Sequence, residues 1–249
     1  MDRFGLIGHP LAGSGSPALF AKAYGGRWPY DLIEGADFEA SWQKFLDGYR
    51  AINITAPFKE LAFAKVGDGV DASCREIGAI NIAVKTPDGI RGYNSDFLGV
   101  RKVLLDEGFG TGQVALVVGF GGAGKAAAAA AKSIGMDVVI CNRTRRTPDI
   151  RPLDELPALL GVADLLIYTL AFPIPEIEMP DQVGHDGGPS LPAPIGNLTV
   201  LEANYRTPCL ANCGFRYIPG LRWLEAQALT GYPLMTGVAP CGETATFRK

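Results

Sequence analysis

Six residues near the middle of the chain form a glycine-rich pattern that suits the binding of a dinucleotide. They are Gly119, Phe120, Gly121, Gly122, Ala123 and Gly124, which fit G-x-G-x-x-G in full. In such a loop the first glycine allows a tight turn, the second lets the backbone approach a pyrophosphate, and the third lets a helix pack closely on a strand. A glycine-rich turn can also be purely structural. The apolar run before the loop and the alanine-rich stretch after it favour the dinucleotide interpretation, because this loop belongs between a strand and a helix.

The residues that follow the next apolar run indicate which dinucleotide is bound. Enzymes that use NAD usually carry an Asp or Glu about 20 residues after the loop, where it accepts hydrogen bonds from the ribose hydroxyls. Here the sequence is Asn142-Arg143-Thr144-Arg145-Arg146, which contains no acidic residue. Guanidinium groups bind phosphate oxygens through paired hydrogen bonds. These residues therefore favour the 2′-phosphate of NADP, and a solvated basic turn is the alternative.

An enzyme that uses a nicotinamide cofactor also needs a substrate site, and the first 97 residues offer short polar clusters. Ser14 and Ser16 place two hydroxyls at a predicted helix start, which suits a carboxylate. Ser16 followed by Pro17 is also typical of a plain helix N-cap. Lys59 follows the end of a predicted strand, and Asp96 follows a predicted hairpin. Taken singly, Lys59 is typical of a protein surface and Asp96 of a turn.

Short apolar runs separated by glycines predict the elements that position these residues. In the first part of the chain we predict strands at 4–7, 30–33, 51–55, 79–84 and 90–93, and helices at 17–24, 38–46 and 59–64. In the second part we predict helices at 97–107, 126–134 and 221–229, strands at 113–118, 137–141, 163–168 and 198–203, and a long irregular loop at 173–197. Strands that alternate with helices predict an α/β fold. The change of pattern near residue 97 predicts two domains joined there.

The composition excludes several classes of protein. The chain has 249 residues, of which 47% are hydrophobic and 20% charged, and its formal net charge is -3. These values are typical of a globular protein and give no basic surface for nucleic acid. No stretch approaches the ~20 apolar residues of a membrane span. The N-terminus runs directly into a predicted strand, so we expect no signal peptide. Five scattered cysteines and two histidines favour neither a disulfide framework nor a metal site, so we expect a cytoplasmic protein without a metal.

Six motifs, in this order and over almost the whole chain, resemble those of the shikimate dehydrogenase family. They are G-H-P-L-A-G-S-G-S-P at 8–17, A-I-N-I-T-A-P-F-K-E at 51–60, G-A-I-N at 78–81, G-Y-N-S-D at 92–96, N-R-T at 142–144 and G-L-R-W-L-E-A-Q-A at 220–228. The resemblance implies an enzyme that reversibly reduces 3-dehydroshikimate to shikimate with NADPH. That reaction belongs to the shikimate pathway, which leads to chorismate and the aromatic amino acids.

The same resemblance assigns roles to individual residues. Lys59 and Asp96 would be the catalytic pair. Shikimate would be bound by Ser14, Ser16, Thr55, Lys59, Asn81, Asp96, Tyr205 and Gln227. NADP would be bound by the loop from Gly119 to Gly124, and by Asn142, Arg143, Thr144, Arg146 and Gly220. The implied architecture is a mixed-sheet substrate domain at 1–97 plus 221–249 and a Rossmann-type NADP-binding domain at 98–220, with the active site in the cleft between them, in a monomer or a homodimer.

Several positions depart from the pattern of the family. Ile82 stands where the family has threonine, Trp223 where it has methionine, and Thr147 where it has a second arginine after the N-R-T motif. Arg145 or Arg146 would then substitute for that arginine. Because nine residues follow Pro240, we expect the family's last helix to be missing. None of these departures falls on the implied catalytic pair.

The implied pair suits the chemistry. Hydride addition to a carbonyl builds negative charge on its oxygen, which a nearby ammonium such as that of Lys59 stabilises and can protonate. Asp96 would orient Lys59 and accept a hydrogen bond from an adjacent substrate hydroxyl. Two alternatives stay open: a relative that uses quinate or another hydroxylated cyclic acid, with NAD as a further cofactor choice, and a catalytically silent NADP-binding regulatory protein. The presence of both Lys59 and Asp96 argues against the silent protein.

Overall fold

The computed structural model describes residues 1–144, 147–173, 198–212 and 214–241. The chain divides into two compact units, one formed by Met1–Gly99 with the chain from Glu225 onward, and the other by Val100–Leu224. The predicted boundaries, at 97 and 221, lie two residues before Gly99 and four before Glu225. Most of the predicted irregular loop at 173–197, together with Arg145 and Arg146, lies outside the described residues.

The first unit is built on a mixed five-stranded sheet. Its strands are β1 (Phe4–Gly8), β2 (Tyr30–Glu34), β3 (Ala51–Ile54), β4 (Ile82–Thr86) and β5 (Gly89–Tyr93). Their order is β2-β1-β3-β4-β5, with β1 parallel to both β2 and β3, and with β4 antiparallel to β3 and β5. The predicted mixed sheet and its closing hairpin are therefore confirmed.

Helices cover both faces of this sheet. They are α1 (Ser16–Tyr24), α2 (Phe38–Gly48), α3 (Lys59–Val66) and the short α4 (Ala72–Ile77). The first three extend the predicted helices at 17–24, 38–46 and 59–64 by one or two residues, and α4 was not predicted. Neighbouring strand residues point to opposite faces, and Ile52 packs in one apolar core while Ala51 packs in another. The Asp37 carboxylate accepts a hydrogen bond from the backbone N–H of Ala40 at 2.6 Å and so caps α2. Each face of the sheet thus packs against an apolar core.

The second unit contains a parallel six-stranded sheet of the doubly wound type. Its strands are β6 (Val114–Val118), β7 (Asp137–Cys141), β8 (Ile150–Arg151), β9 (Leu165–Tyr168), β10 (Thr199–Glu202) and β11 (Arg216–Ile218), in the order β11-β10-β9-β6-β7-β8. This is the strand order of a Rossmann fold, in which ligands bind where the order reverses, beyond the carboxyl ends of the strands. That point lies between β6 and β9, and the glycine loop follows β6. The predicted α/β class with a Rossmann-type domain is confirmed.

Two longer helices contain the boundaries between the units. Helix α5 (Ser95–Asp106) includes Gly99, and the last described helix, α8 (Gly220–Thr236), includes Glu225. Between them in the sequence lie α6 (Gly122–Ser133), whose alanines are buried against the parallel sheet, and the short α7 (Leu156–Leu160). Helix α8 is longer than the predicted 221–229. Within the part of the chain that the structure describes, no helix has the length and apolar character needed to cross a membrane.

Candidate active site

The structure brings Lys59 and Asp96 together, although they are far apart in the sequence. Lys59 is the first residue of α3, directly after the turn that follows β3, and Asp96 is the second residue of α5. The Lys59 Nζ lies 2.7 Å from the Asp96 Oδ2, and the two side chains are 28% and 13% exposed. A pair with so little solvent contact interacts more strongly than an exposed pair. The ammonium group therefore has a fixed position beside a carboxylate.

Gln227 completes the binding of the Asp96 carboxylate. Its Nε2 donates a hydrogen bond to Asp96 Oδ1 at 2.7 Å, so that each carboxylate oxygen has a donor. Gly99 makes this contact possible, because a Cβ built on Gly99 would lie only 2.7 Å from the Cγ of Gln227 and 2.9 Å from its backbone N. Helix α8 can approach α5 at this point only because residue 99 has no side chain.

Asn81 positions the start of α5, one residue before Asp96. The Asn81 Oδ1 accepts hydrogen bonds from the backbone N–H of Ser95 at 2.7 Å and from the Ser95 hydroxyl at 3.1 Å. A side-chain oxygen that accepts from a first-turn N–H satisfies a backbone donor at a helix start. Asn81 thus fixes the backbone that carries Asp96, and its role toward a substrate stays a prediction.

The two serines form one cluster, but not in the way that a helix cap would require. Helix α1 begins at Ser16 itself, and its N-cap is Gly15, which makes no side-chain cap bond. The interpretation of Ser16 as the N-cap is therefore wrong, because Pro17 occupies the second helical position rather than the first. The Ser14 hydroxyl accepts a weak hydrogen bond from the Ser16 N–H at 3.4 Å and donates to the Ser16 hydroxyl at 3.2 Å. Ser14 thus makes only this weak bond to the first N–H of α1, and the two hydroxyls lie together at the start of the helix.

Tyr30 and Asn53 link the serine cluster to Asn81, and neither was predicted from the sequence as a site residue. The Tyr30 hydroxyl donates to Asn53 Oδ1 at 2.8 Å, and the Asn53 Nδ2 lies 3.4 Å from the Asn81 carbonyl oxygen. Burial raises the pKa of Tyr30 well above its usual value, partly offset by a hydrogen bond with the Ser16 side chain. The phenol is therefore neutral. The motif at 51–60 contains Asn53, so the sequence carries a signal for this residue. Tyr30 has no such signal, because its sequence context is that of any aromatic residue in a strand.

Thr55 lies at the carboxyl end of β3, against the loop that follows β1. Its backbone N–H donates to the Ile7 carbonyl at 3.0 Å, and its carbonyl accepts from the Phe58 N–H at 3.0 Å, in the turn that leads to Lys59. A Cβ built on Gly8 would lie 2.3 Å from the Thr55 Cγ2, so the absence of a side chain at Gly8 allows this approach. Thr55 thus lies between the loop that leads to the serine cluster and the helix that starts with Lys59.

The glycine loop has the geometry that its sequence predicts. Gly119 follows β6 with a positive φ of 91°, and Gly121 is the N-cap of α6. A Cβ built on Gly124 would lie 2.0 Å from the Gly119 carbonyl oxygen, whereas among the described residues nothing lies within 4 Å of a Cβ built on Gly121 or Gly122. The first and third glycines thus have no room for a side chain, and the middle ones face open space at a helix N-terminus, which suits an anion.

The turn after β7 presents an exposed arginine. The Asn142 backbone N–H donates to the Arg151 carbonyl at 3.0 Å, and its Nδ2 donates to the Thr144 carbonyl at 3.0 Å, which orders the start of the turn. Arg143 is exposed. Arg146, the fourth predicted residue here, lies outside the described residues. The contacts of this turn toward a cofactor stay a prediction.

The two remaining predicted residues lie in the second unit. Tyr205 is 44% exposed in the loop after β10, and Gly220 is buried at the start of α8. A Cβ built on Gly220 would lie 2.5 Å from the Glu202 carbonyl oxygen. In the described ranges, no group of three or more His, Cys, Asp or Glu side chains has the arrangement of a metal site.

Comparisons with known proteins identify what this arrangement is similar to. The family model for the shikimate dehydrogenase substrate binding domain matches residues 6–83. A shikimate dehydrogenase (NADP(+)) from Acidiphilium cryptum is 32% identical over an alignment of 262 positions, which covers 98% of this chain and 94% of that relative. Another from Halobacterium salinarum is 37% identical over 172 residues, which cover 66% of this chain and 64% of that relative. In the second alignment the chain thus spans slightly less than two thirds of the relative's length.

Solved structures agree with these matches. The crystal structure of shikimate 5-dehydrogenase from Thermus thermophilus, in complex with NADP(H) and shikimate, aligns with a TM-score of 0.75 and 28% identity, over 96% of this chain and 95% of that one. The Mycobacterium tuberculosis shikimate dehydrogenase aligns with a TM-score of 0.74 at 22% identity, over 97% and 96% of the two chains, and shows the same fold.

Proposed function

Because the chain belongs to the shikimate dehydrogenase family, we propose that it catalyses the reversible NADP-dependent interconversion of shikimate and 3-dehydroshikimate. The observation that carries this proposal is the Lys59–Asp96 pair, with 2.7 Å between Nζ and Oδ2 and with Gln227 on the second carboxylate oxygen. These three side chains supply a cation, an anion and a neutral hydrogen-bonding group. Such a set suits a substrate whose hydroxyl is interconverted with a carbonyl.

Lys59 and Asp96 divide the work at the reacting oxygen. In the direction of reduction, negative charge develops on the substrate carbonyl oxygen, and the Lys59 ammonium stabilises that charge and donates a proton from Nζ. In the reverse direction the same Nζ accepts the hydroxyl proton. The Asp96 carboxylate keeps Lys59 in place and accepts a hydrogen bond from a neighbouring hydroxyl of the substrate. Gln227 holds Asp96 so that this pair keeps one orientation.

The substrate carboxylate is the partner of the serine cluster. Ser14 and Ser16 bond to each other in this structure, and hydroxyls that bond to each other can turn to donate to an anion without leaving a buried donor unsatisfied. Thr55 and Asn81 lie on the segments between this cluster and the catalytic pair. A ring that carries a carboxylate and several hydroxyls matches this distribution of donors and acceptors.

The second unit suits NADP. The open backbone at Gly121 and Gly122 accommodates a pyrophosphate at the start of α6, and Arg143 supplies a cation for the 2′-phosphate. When bound, the cofactor carries the hydride that is exchanged with the substrate carbon. No acidic residue lies among residues 142–146 to favour the 2′-hydroxyl of NAD. Asn142 and Thr144 order the turn that presents Arg143.

The test is a set of initial rates with the purified chain, in which shikimate or quinate is combined with NADP+ or NAD+ and the reduced cofactor is followed by its absorbance. We expect turnover with shikimate and NADP+ that exceeds the other three combinations. Faster turnover of quinate would overturn the choice of substrate. Binding of NADP+ without turnover of either acid would identify a silent cofactor-binding protein and overturn the proposed activity.

Location and assembly belong to the same proposal. We propose a cytoplasmic enzyme that acts as a monomer or a homodimer on a small-molecule substrate. The molar mass, measured by light scattering as the protein elutes from a size-exclusion column, distinguishes the monomer from the homodimer.

A further inference from the structure

The Lys59–Asp96 pair joins two helices that are far apart in the sequence. Lys59 is the first residue of α3, and Asp96 is the second residue of α5. Because a lysine side chain is long and flexible, the place and direction of the pair depend on where the two backbones lie. The bonds that hold the two helix starts to each other therefore decide how well the pair is positioned.

A single peptide group connects the two helix starts. It links Ala79 to Ile80, in the segment that leads into β4, and we name it the 79–80 peptide. Its N–H, which belongs to Ile80, donates to the Lys59 carbonyl at 3.2 Å. Its C=O, which belongs to Ala79, accepts from the Asn94 Nδ2 at 3.0 Å. Asn94 directly precedes α5, so this peptide binds the start of α3 on one side and the start of α5 on the other.

Asn94 makes this connection while it also caps α5. Its Oδ1 accepts from the Phe97 N–H at 3.1 Å, and its backbone carbonyl accepts from the Leu98 N–H at 3.2 Å, as is typical of an N-cap residue. The two ends of its amide thus have different tasks. The oxygen serves the helix locally, whereas the nitrogen binds a residue 15 positions away in the sequence.

Burial makes these bonds costly to lose. Asn94 is 2% exposed, and Ala79 and Ile80 are 5% and 0% exposed. A buried carbonyl that loses its donor is unfavourable, because its desolvation is no longer compensated. A hydrogen bond to the C=O of a peptide also polarises its N–H and strengthens the bond that this N–H donates. The Asn94 amide therefore also supports the bond between Ile80 and Lys59.

We propose that Asn94 is a positioning residue for the catalytic pair, because its side chain ties the start of α5 to the start of α3 through the 79–80 peptide. The proposal rests on the proposed function, since it takes Lys59 and Asp96 as catalytic. The side chain of Asn81 binds the start of α5 at Ser95, whereas that of Asn94 connects α5 to the backbone of the other helix.

Two variants separate the connection from the cap. Asn94→Ala removes both the cap oxygen and the amide nitrogen. Asn94→Ser keeps an oxygen that caps a helix about as well as asparagine does, but its side chain is shorter and lacks the NH2 group that binds Ala79. The melting temperature of Asn94→Ser should therefore lie close to that of the wild type, and above that of Asn94→Ala. If Asn94 were only a cap, kcat would recover together with the melting temperature.

We expect kcat for shikimate oxidation to stay low in both variants, about tenfold or more below the wild type. A displacement near 1 Å at a catalytic site costs up to about 100-fold. The KM should change less than kcat, because the displaced pair acts mainly on the charge that develops in the transition state. An Asn94→Ser variant with the wild-type kcat would overturn the proposal, whether or not its KM rises.

Amide hydrogen exchange tests the connection without reference to activity. In Asn94→Ser we expect exchange at Ile80 to accelerate by about threefold to tenfold, the effect of one hydrogen bond, while Phe97 keeps its wild-type exchange because the serine oxygen replaces the cap. In Asn94→Ala we expect faster exchange at both amides. Unchanged exchange at Ile80 in both variants would overturn the proposal.

Asp37→Ala is the matched control. Asp37 is the N-cap of α2, where its Oδ1 accepts from the Ala40 N–H at 2.6 Å, and it is exposed. Loss of this cap should lower the melting temperature but leave kcat, KM and the exchange at Ile80 as in the wild type. A loss of kcat equal to that of Asn94→Ser would show that any missing cap slows the enzyme, and would overturn the proposal.

A second substitution applies if Asn94→Ser does not fold. Asn94→Asp keeps the length of the side chain and the cap oxygen, but it faces the Ala79 carbonyl with a second oxygen in place of the NH2 group. A low kcat and faster exchange at Ile80 are again expected, and a wild-type value of either would overturn the proposal. A wild-type protein that does not turn over shikimate would overturn the proposed function, and the exchange at Ile80 would still decide whether Asn94 connects the two helix starts.

Discussion

Gly99→Ala is the substitution whose effect follows most directly from the structure. Gly99 lies in α5, and the added methyl would lie 2.7 Å from the Gln227 Cγ, 2.9 Å from its backbone N and 3.2 Å from its Cα. Two of these three atoms belong to the backbone of α8 and cannot rotate away. Since carbon atoms in contact lie about 3.5–4.0 Å apart, α8 must move by roughly 0.5–1 Å at this point.

Two effects of opposite sign act on stability. Inserting a methyl group into a well-packed site costs about 1–3 kcal/mol, whereas replacing glycine by alanine inside a helix gains about 1 kcal/mol. The net loss of unfolding free energy is therefore about 0–2 kcal/mol. Activity is the more sensitive quantity, because the shift falls on the Gln227–Asp96 bond, and a displacement near 1 Å at a catalytic site costs up to about 100-fold. We expect kcat/KM for shikimate to fall by about tenfold to 100-fold.

The assay combines urea denaturation with initial rates, and Gly48→Ala is the control. Gly48 is the last residue of α2, and the nearest group to its added Cβ is the Arg3 guanidinium at 3.9 Å, which is an ordinary contact. Gly48→Ala should leave kcat/KM unchanged and should not lower stability. A Gly99→Ala variant that behaves in the same way would refute the close approach of α8 and α5 at Gln227.

Three further outcomes are expected. Replacing Ser14 and Ser16 together by alanine should raise the KM for shikimate with little change in kcat, and a variant with the wild-type KM and only a lower melting temperature would contradict a substrate role. Arg143→Ala should weaken NADP by about tenfold to 100-fold in kcat/KM and leave NAD unchanged; equal use of both cofactors by the wild type would contradict that role. Burial raises the pKa of the Cys74 thiol to about 12, above the ~8.5 of a cysteine in an unfolded chain. At pH values between these two pKa values only the unfolded state releases the thiol proton. The free energy of unfolding therefore falls as pH rises, by about 1.4 kcal/mol per pH unit. Urea denaturation at several pH values should show this slope reduced in Cys74→Ala, and an equal slope in both proteins would contradict it.

Features that depend on short stretches of sequence could be predicted. The glycine loop is one, because Gly119 and Gly124 have the positive φ and the close packing that their spacing demands. The strands β6 and β7 are others, since a continuous apolar run is buried on both sides of a parallel sheet. The juxtaposition of Lys59 and Asp96 came from the resemblance to a family, because nothing local connects two residues on different helices.

Features that a short sequence pattern leaves undecided could not be predicted. The spacing of Ser16 and Pro17 is typical of a helix start, but it does not decide which residue is the cap, and Gly15 takes that position. Tyr30 looks like an ordinary residue of a strand segment. Its partner, Asn53, is brought to it only by the fold.

The most direct test of the proposed mechanism is the kcat of Lys59→Ala for shikimate oxidation, compared with that of Lys65→Ala. Both lysines belong to α3 and each pairs with a carboxylate, but Lys65 and its partner Glu39 are exposed. We expect Lys59→Ala to lose about 10²–10⁴-fold in kcat, the usual contribution of a positioned acid or electrostatic donor, while Lys65→Ala keeps the wild-type value. A folded Lys59→Ala variant with an unchanged kcat would contradict the role of Lys59 at the reacting oxygen.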